Sequence, residues 1–523
     1  MLWKSPLLPM AALALLWEIA GRTLLAPWHV LPPPSAILAT LWQARAGLYP
    51  HLATTSEEAL GGFLWGNAVA ILLALTAFLL PVLEPFLARV MLAIYCLPLL
   101  VLAPILQIVF SNLVPMVVLS GIFVLFTTFI ATLVGLREVD AASLLVVRAC
   151  GGSKWDELWR VRFVAWLPSL IGGLSQAAPA AVVGAMVGEY MGSTTGLGVA
   201  MIYAQTSFQV ERTWAICLLA TSLALLPYGL IQLAGWWLTP WARDQRPIVI
   251  AAVAPGQELS AARTWWRRIR LTAIYLVGAA IITGVWYALI ALLSLDPYFA
   301  KTPGDLWSYL TSDPDAAAHR ALFLPPTAVT LTHAGGGLLL GFGAAFLTAL
   351  GVRLWHRLEG ALTPYLVLIA SVPVAAMVPV ISLLCGRGAG AVMVAVALLV
   401  FVPSFITILV GFKSVPEQAT SLVRVAGGSW WRAVGTVQLP FALPWLIAAF
   451  KAAAPIAIGG SLLGEWLITG DGLALVMQQS RSAGDYTVIW TAGLWVVLLS
   501  LGIYTLIAAL ETRVLARLHL RGA

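Results

Sequence analysis

VDAASLLVVRACGGSKWDELWRVRFVAWLPSLIGGLSQAAPAAVVGAMVGEYMGSTTGLGVAM, residues 139–201, returns as residues 415–477 at a constant offset of 276 and without a gap. Of the 63 aligned positions 22 are identical, far more than an apolar-biased composition returns by chance, so the chain carries an internal repeat. What is repeated is a charged, glycine-broken loop followed by an apolar segment long enough to cross a bilayer. The repeat extends upstream at an offset of 275, where Gly62, Gly66, Leu83, Glu84, Pro98 and Pro104 match Gly337, Gly341, Leu358, Glu359, Pro373 and Pro379.

Around this repeat the chain is 61% hydrophobic and 10% charged, more apolar surface than a soluble protein of 523 residues can hide. Long stretches without any charge, such as 59–83, 213–242 and 487–510, predict membrane helices. No β-barrel alternation is present. The fold class expected is all-α, with about twelve transmembrane helices in two parallel six-helix repeats. The spans expected are 5–24, 60–81, 86–110, 114–136, 166–190 and 213–237, then 271–294, 331–352, 362–385, 389–412, 442–467 and 487–510. With the N-terminus inside, 21 of the 29 Lys and Arg fall on the cytoplasmic side, which sets the orientation and leaves both termini cytoplasmic. Lys451 lies within a span, where it is expected to snorkel toward the inner interface.

Lys4 and the apolar run after it could open a signal peptide. Against that, Trp17 and Pro34 match Trp286 and Pro303, which lie mid-chain, so an uncleaved helix is expected. The domains read as a first repeat over 1–238, a cytoplasmic linker over 239–270 rich in proline and arginine, and a second repeat over 271–523. The net charge of +7 sits mainly in loops on one side, a membrane-topology signal and not one for nucleic acid. The cysteines and histidines show no metal or redox spacing, and no metal site is expected.

Both repeated loops read as helix, Gly-Gly-Ser, helix. In the first, Asp140 suits a helix cap, Gly151 a helix end, and Ser153 to Asp156 a capping box. In the second, Pro416 suits a first helical position, Gly427 a helix end and Ser429 a cap, with Arg432 in place of the acid. Two short helices so built make a rigid knob at the inner surface, able to transmit force.

This loop resembles the cytoplasmic signature loop of the permease subunits of bacterial ABC importers that work with binding proteins. The family pattern is Glu-Ala-Ala, three residues, Gly, nine residues, an aliphatic, any residue, Leu-Pro. Gly427, Val437, Leu439 and Pro440 fall on it in the second half; Gly151 and Val161 do in the first, where Phe163-Val164 replaces Leu-Pro. Glu-Ala-Ala is replaced by Leu145-Val146-Val147 and Ser421-Leu422-Val423, while Arg148 and Arg424 stand where Arg is frequent in this family. Glu189 with Gly196-Leu197-Gly198, Glu465 with Gly472-Leu473, and Leu31 to Ser35 resemble the nitrate/sulfonate/taurine-type branch.

The resemblance implies a type I importer transmembrane fold with two permease copies fused in one chain of a bacterial inner membrane. It implies a path for a small solute, such as a sulfonate, nitrate, taurine or a heterocyclic vitamin precursor, delivered by an extracytoplasmic binding protein. Two cytoplasmic ATPase subunits would grip the loops at Arg148, Gly151, Gly152 and Ser153 and at Arg424, Gly427, Gly428 and Ser429. ATP and magnesium would bind those partners. This chain has no phosphate-binding Gly-rich loop followed by Lys-Ser/Thr and is expected to be a transport subunit with no cofactor of its own and no catalytic residues.

Pro98, Pro104, Pro373 and Pro379 are expected either to shape their spans or to act as pore-lining bends. A carboxylate near the end of a span is costly, so Glu189 and Glu465 must face water, a partner or the bundle interior. Each either lines a gate at the outer mouth or holds the span end by bonding nearby backbone, with the balance slightly toward the second. Fused ferric-iron or thiamine-type permeases and ion-coupled secondary carriers are the competing readings. The carriers usually bury charged residues deep in their spans, which is not the pattern here.

Overall fold

The structure, a computed structural model, describes residues 7–23, 26–28, 31–97, 99–110, 113–137, 139–242, 278, 280–281, 283–354 and 373–517. Every regular element among them is helical. Eight helices are long and apolar enough to cross a membrane: α1 (Pro34–Leu79), α2 (Val114–Arg137), α3 (Lys154–Tyr190), α4 (Val210–Leu238), α5 (Ala316–Leu354), α6 (Ala389–Lys413), α7 (Trp430–Thr469) and α8 (Tyr486–Arg517). Shorter pieces stand at the other expected spans. They are Leu7–Arg22, the pair Glu84–Cys96 and Leu99–Val109, Thr283–Leu292, and Val374–Cys385. Most of the expected linker, and residues 362–372 of the ninth expected span, lie outside the described residues.

The helices form two compact units. Of the described residues, the first holds those up to 95 with 102–242 and 373–387; the second holds those in 96–101, 278–354 and 388–517. Helix Val374–Cys385, read from the sequence as part of the second repeat, thus packs inside the first unit, against α3, α4 and the helix Leu197–Thr206.

Within each unit the same geometry recurs. Small residues on one helix let a neighbour approach, and large ones fill the gaps. In the first unit Ala70, Ala74 and Ala77 of α1 face Phe129 and Leu133 of α2. In the second, Ala345 and Ala349 of α5 face Phe405, Ile408 and Phe412 of α6. The repeated glycines explain the closeness. A Cβ on Gly66 would stand 2.5 Å from the Gly121 carbonyl oxygen, and one on Gly341 would stand 2.4 Å from that of Ala397.

Two expectations need adjustment. The helices containing the expected spans 60–81 and 331–352 begin at Pro34 and Ala316, far upstream. At 46 residues α1 is about 69 Å long, more than twice the hydrocarbon thickness of about 30 Å. The upstream turns carry breaks in the sequence signal, Pro50, Glu57 and Glu58 in α1 and Arg320, Pro325 and Pro326 in α5, yet the helices run through them. Secondly, the sequence leaves Lys451 without a partner, and the structure gives it one. It is buried and ion-paired with buried Glu511 of α8, so a neighbouring helix supplies the countercharge that solvent would have supplied.

Candidate functional site

The first loop opens with helix Ala141–Ala149, capped by Asp140, whose carboxylate accepts from Ala142 N–H at 3.2 Å. It closes with a paired C-terminal bond pattern. Gly151 N–H reaches the Arg148 carbonyl and Gly152 N–H the Val147 carbonyl, both at 2.9 Å. That geometry needs a left-handed residue after the cap, and Gly151 has φ +78°. Ser153 and Asp156 then form a complete capping box.

The second loop repeats this with helix Glu417–Val425. Gly427 N–H meets Arg424 O at 2.9 Å, Gly428 N–H meets Val423 O at 2.8 Å, and Gly427 has φ +76°. Ser429 accepts from Arg432 N–H, and with no acid at 432 the box stays half built. Pro416 stands at the cap itself, one residue before the helical position expected for it.

A further difference separates the loops. Arg148 holds Glu157 through two hydrogen bonds, at 2.5 and 3.2 Å, and the carboxylate raises the Arg148 guanidinium above its ordinary value. The position matching Glu157 is Ala433, so Arg424 has no such latch across its loop.

The second short helix of each knob is not a separate element, as the sequence suggests. It runs on into the span through a π turn, Glu157–Arg162 in one copy and Val434–Gln438 in the other. Pro440 lacks the N–H that would bond Thr436, which favours the wider turn in the second copy. Val164 stands there in the first, and nothing local explains its π turn.

At the far end of α3 and α7 the two glutamates are buried, and each is held by a helix from elsewhere in its unit. Glu189 is 1% exposed. It accepts from Thr55 Oγ1 of α1 and from Gly198 N–H, each at 2.5 Å. Thr55 Oγ1 in turn accepts from Leu197 N–H at 2.8 Å. In the second unit Thr330 of α5 donates to Glu465 at 2.9 Å and accepts from Leu473 N–H at 3.0 Å. Each set of bonds ties a long helix, a span end and the Gly-Leu turn into one clasp.

The clasp explains its glycines. A Cβ on Gly196 would lie 2.2 Å from Glu189 Cδ, and one on Gly472 would lie 2.4 Å from Glu465 Cδ. Gly198 is replaced by Ala474 in the second copy, and its N–H stands back at 3.5 Å from Glu465. His333 adds a contact there, Nδ1 to Glu465 Oε1 at 3.0 Å.

His333, Glu465 and Asp471 bring ligand atoms within 4.8 Å of one another, a grouping no sequence spacing reveals. His333 is bonded to Glu465, and Asp471 accepts from Thr469 Oγ1.

The prolines part company. Pro98 lies outside the described residues. Pro104 is buried within helix Leu99–Val109. Pro373 caps helix Val374–Cys385, and Pro379 lies inside it. Because Pro379 has no N–H, the carbonyl of Ala375 loses its helical partner. The buried hydroxyl of Tyr190 takes that carbonyl at 2.7 Å. Tyr190→Phe is therefore expected to leave a buried carbonyl unpaired and to destabilise the protein by about 1–3 kcal/mol. A melting curve unchanged from wild type would show that the bond contributes nothing.

Residues 66–240 and 337–518 each match the family described as "Binding-protein-dependent transport system inner membrane component". Among curated proteins, a "Probable ABC transporter permease protein" of Haemophilus influenzae is 31% identical over 43% of this chain and 92% of its own length. A riboflavin transport system permease of Chloroflexus aurantiacus is 30% identical over 44% of this chain and 85% of its own. A formylaminopyrimidine transport permease of Halalkalibacterium halodurans is 26% identical over 46% and 97%. No solved structure matches the chain.

Proposed function

We propose, for a chain that belongs to the family of binding-protein-dependent transport system inner membrane components, that it supplies both halves of the membrane path of one ATP-driven importer. The observation that carries this is the loop built twice, with the same helix end, the same left-handed glycine and the same serine cap. A protein that needed one docking point would need one such loop. Two, each leading directly into a span, suit a pair of cytoplasmic ATPase subunits, with the loops inside and the clasps outside.

In this reading ATP-driven closure of the partners swings the knobs. Each knob continues into α3 or α7 without a break, so the swing reaches the clasped ends at Glu189 and Glu465. The loops must contact the ATPases differently in the two states, or nucleotide could not bias the path. Pro104, Pro373 and Pro379 lie where the spans would bend.

The solute is a small organic molecule handed over by a binding protein. Relatives named for riboflavin and formylaminopyrimidine transport, at 30% and 26% identity, put heterocycles first, and one named for aliphatic sulfonates, at 25%, puts sulfonates second.

The test is reconstitution in proteoliposomes with candidate ATPase subunits and binding proteins. Uptake of labelled heterocycle or sulfonate that needs ATP, the ATPase and the binding protein is the expected result. Uptake driven by an ion gradient without the ATPase would refute the proposal and support a secondary carrier.

A further inference from the structure

The two clasps share their threonine, glutamate and Gly-Leu turn, and differ in the side chain one helical turn beyond the threonine. At offset 275, Thr55 corresponds to Thr330 and Glu58 to His333. Thr330, His333 and backbone N–H groups surround Glu465, so its carboxylate is met by donors. In the first unit the place of the imidazole is taken by Glu58, another acid, 0% exposed. Among the described residues, no N–H or O–H donor reaches either Glu58 oxygen. Glu58 follows Thr55, which bonds Glu189, by one helical turn, as His333 follows Thr330, which bonds Glu465.

Two carboxylates without a proton are both acceptors and cannot bond each other. Placed together out of water they also repel. A carboxyl buried with no donor in reach is held there in its protonated form. We propose that the Glu58–Glu189 pair is a proton-binding site, and that Glu58, holding or sharing that proton, positions Glu189 as His333 positions Glu465. Position 58 must present a donor; an acid does so only when protonated, an imidazole by its own N–H. The argument rests on the paired geometry of the two units and stands apart from the transport reading.

The competing occupant is a metal cation, which a pair of buried carboxyl groups would also hold. Glu58→Gln separates the two. An amide keeps the shape and supplies a permanent N–H donor to Glu189, but it is a poor replacement for an anionic ligand. The full chain in lipid is to be examined by infrared spectroscopy and by thermal melting, with and without calcium, magnesium or zinc.

The expected results are a protonated-carboxyl C=O stretching band that Glu58→Gln removes, and a melting temperature that Glu58→Gln leaves near wild type while Glu58→Ala lowers it by several degrees. The proposal is overturned by any of three results. They are a wild-type spectrum without the band, a band that survives Glu58→Gln, or melting that rises with one of those cations in wild type and not in Glu58→Gln. Should Glu58→Ala fail to fold, the wild-type and Glu58→Gln spectra still decide the matter.

Discussion

Alanine in place of Gly472 is expected to destabilise the protein by about 3–5 kcal/mol, the sum of backbone strain and lost charge-assisted hydrogen bonds. Position 472 has φ +59°, and the new Cβ would stand 2.4 Å from Glu465 Cδ, a separation no real pair of atoms adopts. The carboxylate would have to leave, abandoning Thr330 and His333. Gly196→Ala is expected to act similarly, since φ there is +123° and the clash is 2.2 Å.

Gly470 supplies the control. It too has a left-handed φ, +64°, but nothing lies within 4 Å of its missing Cβ. Gly470→Ala should therefore cost only the conformational strain, about 1–2 kcal/mol. Thermal melting of the three variants measures the difference. If Gly472→Ala melts no lower than Gly470→Ala, the clasp does not need that glycine.

The contrast shows which parts of the fold could be read from the chain. Caps and helix ends are local. Gly151 and Gly427 meet carbonyls within the same loop, so Asp140, Ser153 and Ser429 announced their roles by spacing alone. The spans were legible because lipid demands long uncharged segments. The upstream turns of α1 and α5 were not, because Pro50, Pro325 and Pro326 read as helix breaks and the structure carries the helices through them.

Partners distant in the chain were hidden for a simpler reason. Thr55 lies 134 residues from Glu189, and His333 lies 132 from Glu465. The sequence showed that each glutamate must find a partner, and left its identity open. The offset of 275 was the one available signal, since it aligns Thr55 with Thr330. Similarly, Pro379 could be read as a bend, but not as the source of a free carbonyl that Tyr190 satisfies. Lys451 could be read as reaching toward the inner interface, but not as the partner of Glu511, which lies on another helix.

The knobs make a different prediction, because their apolar residues are exposed. Val146 and Leu422 occupy equivalent positions, and they are 62% and 72% exposed. Val425, on the same helix as Leu422, is 87% exposed. Such residues contribute little to the fold in isolation, so glutamate at 422 should change stability by no more than about 0.5 kcal/mol. Apolar residues at the centre of a docking surface behave otherwise. Burying a carboxylate there is expected to weaken ATPase binding by about 2 kcal/mol or more, roughly 30-fold, with a matching loss of ATP-driven uptake.

Leu422→Glu and Val146→Glu should be compared separately, because the knobs differ in their bracing. The first is latched by Arg148 and Glu157, and the second lacks that latch. A stiff knob transmits a displacement that a looser one absorbs, so Val146→Glu is expected to cost more uptake for the same loss of binding. The measurements are ATPase affinity, melting temperature and uptake on the same preparations. Normal affinity and uptake in both variants would mean that the partners grip the protein elsewhere.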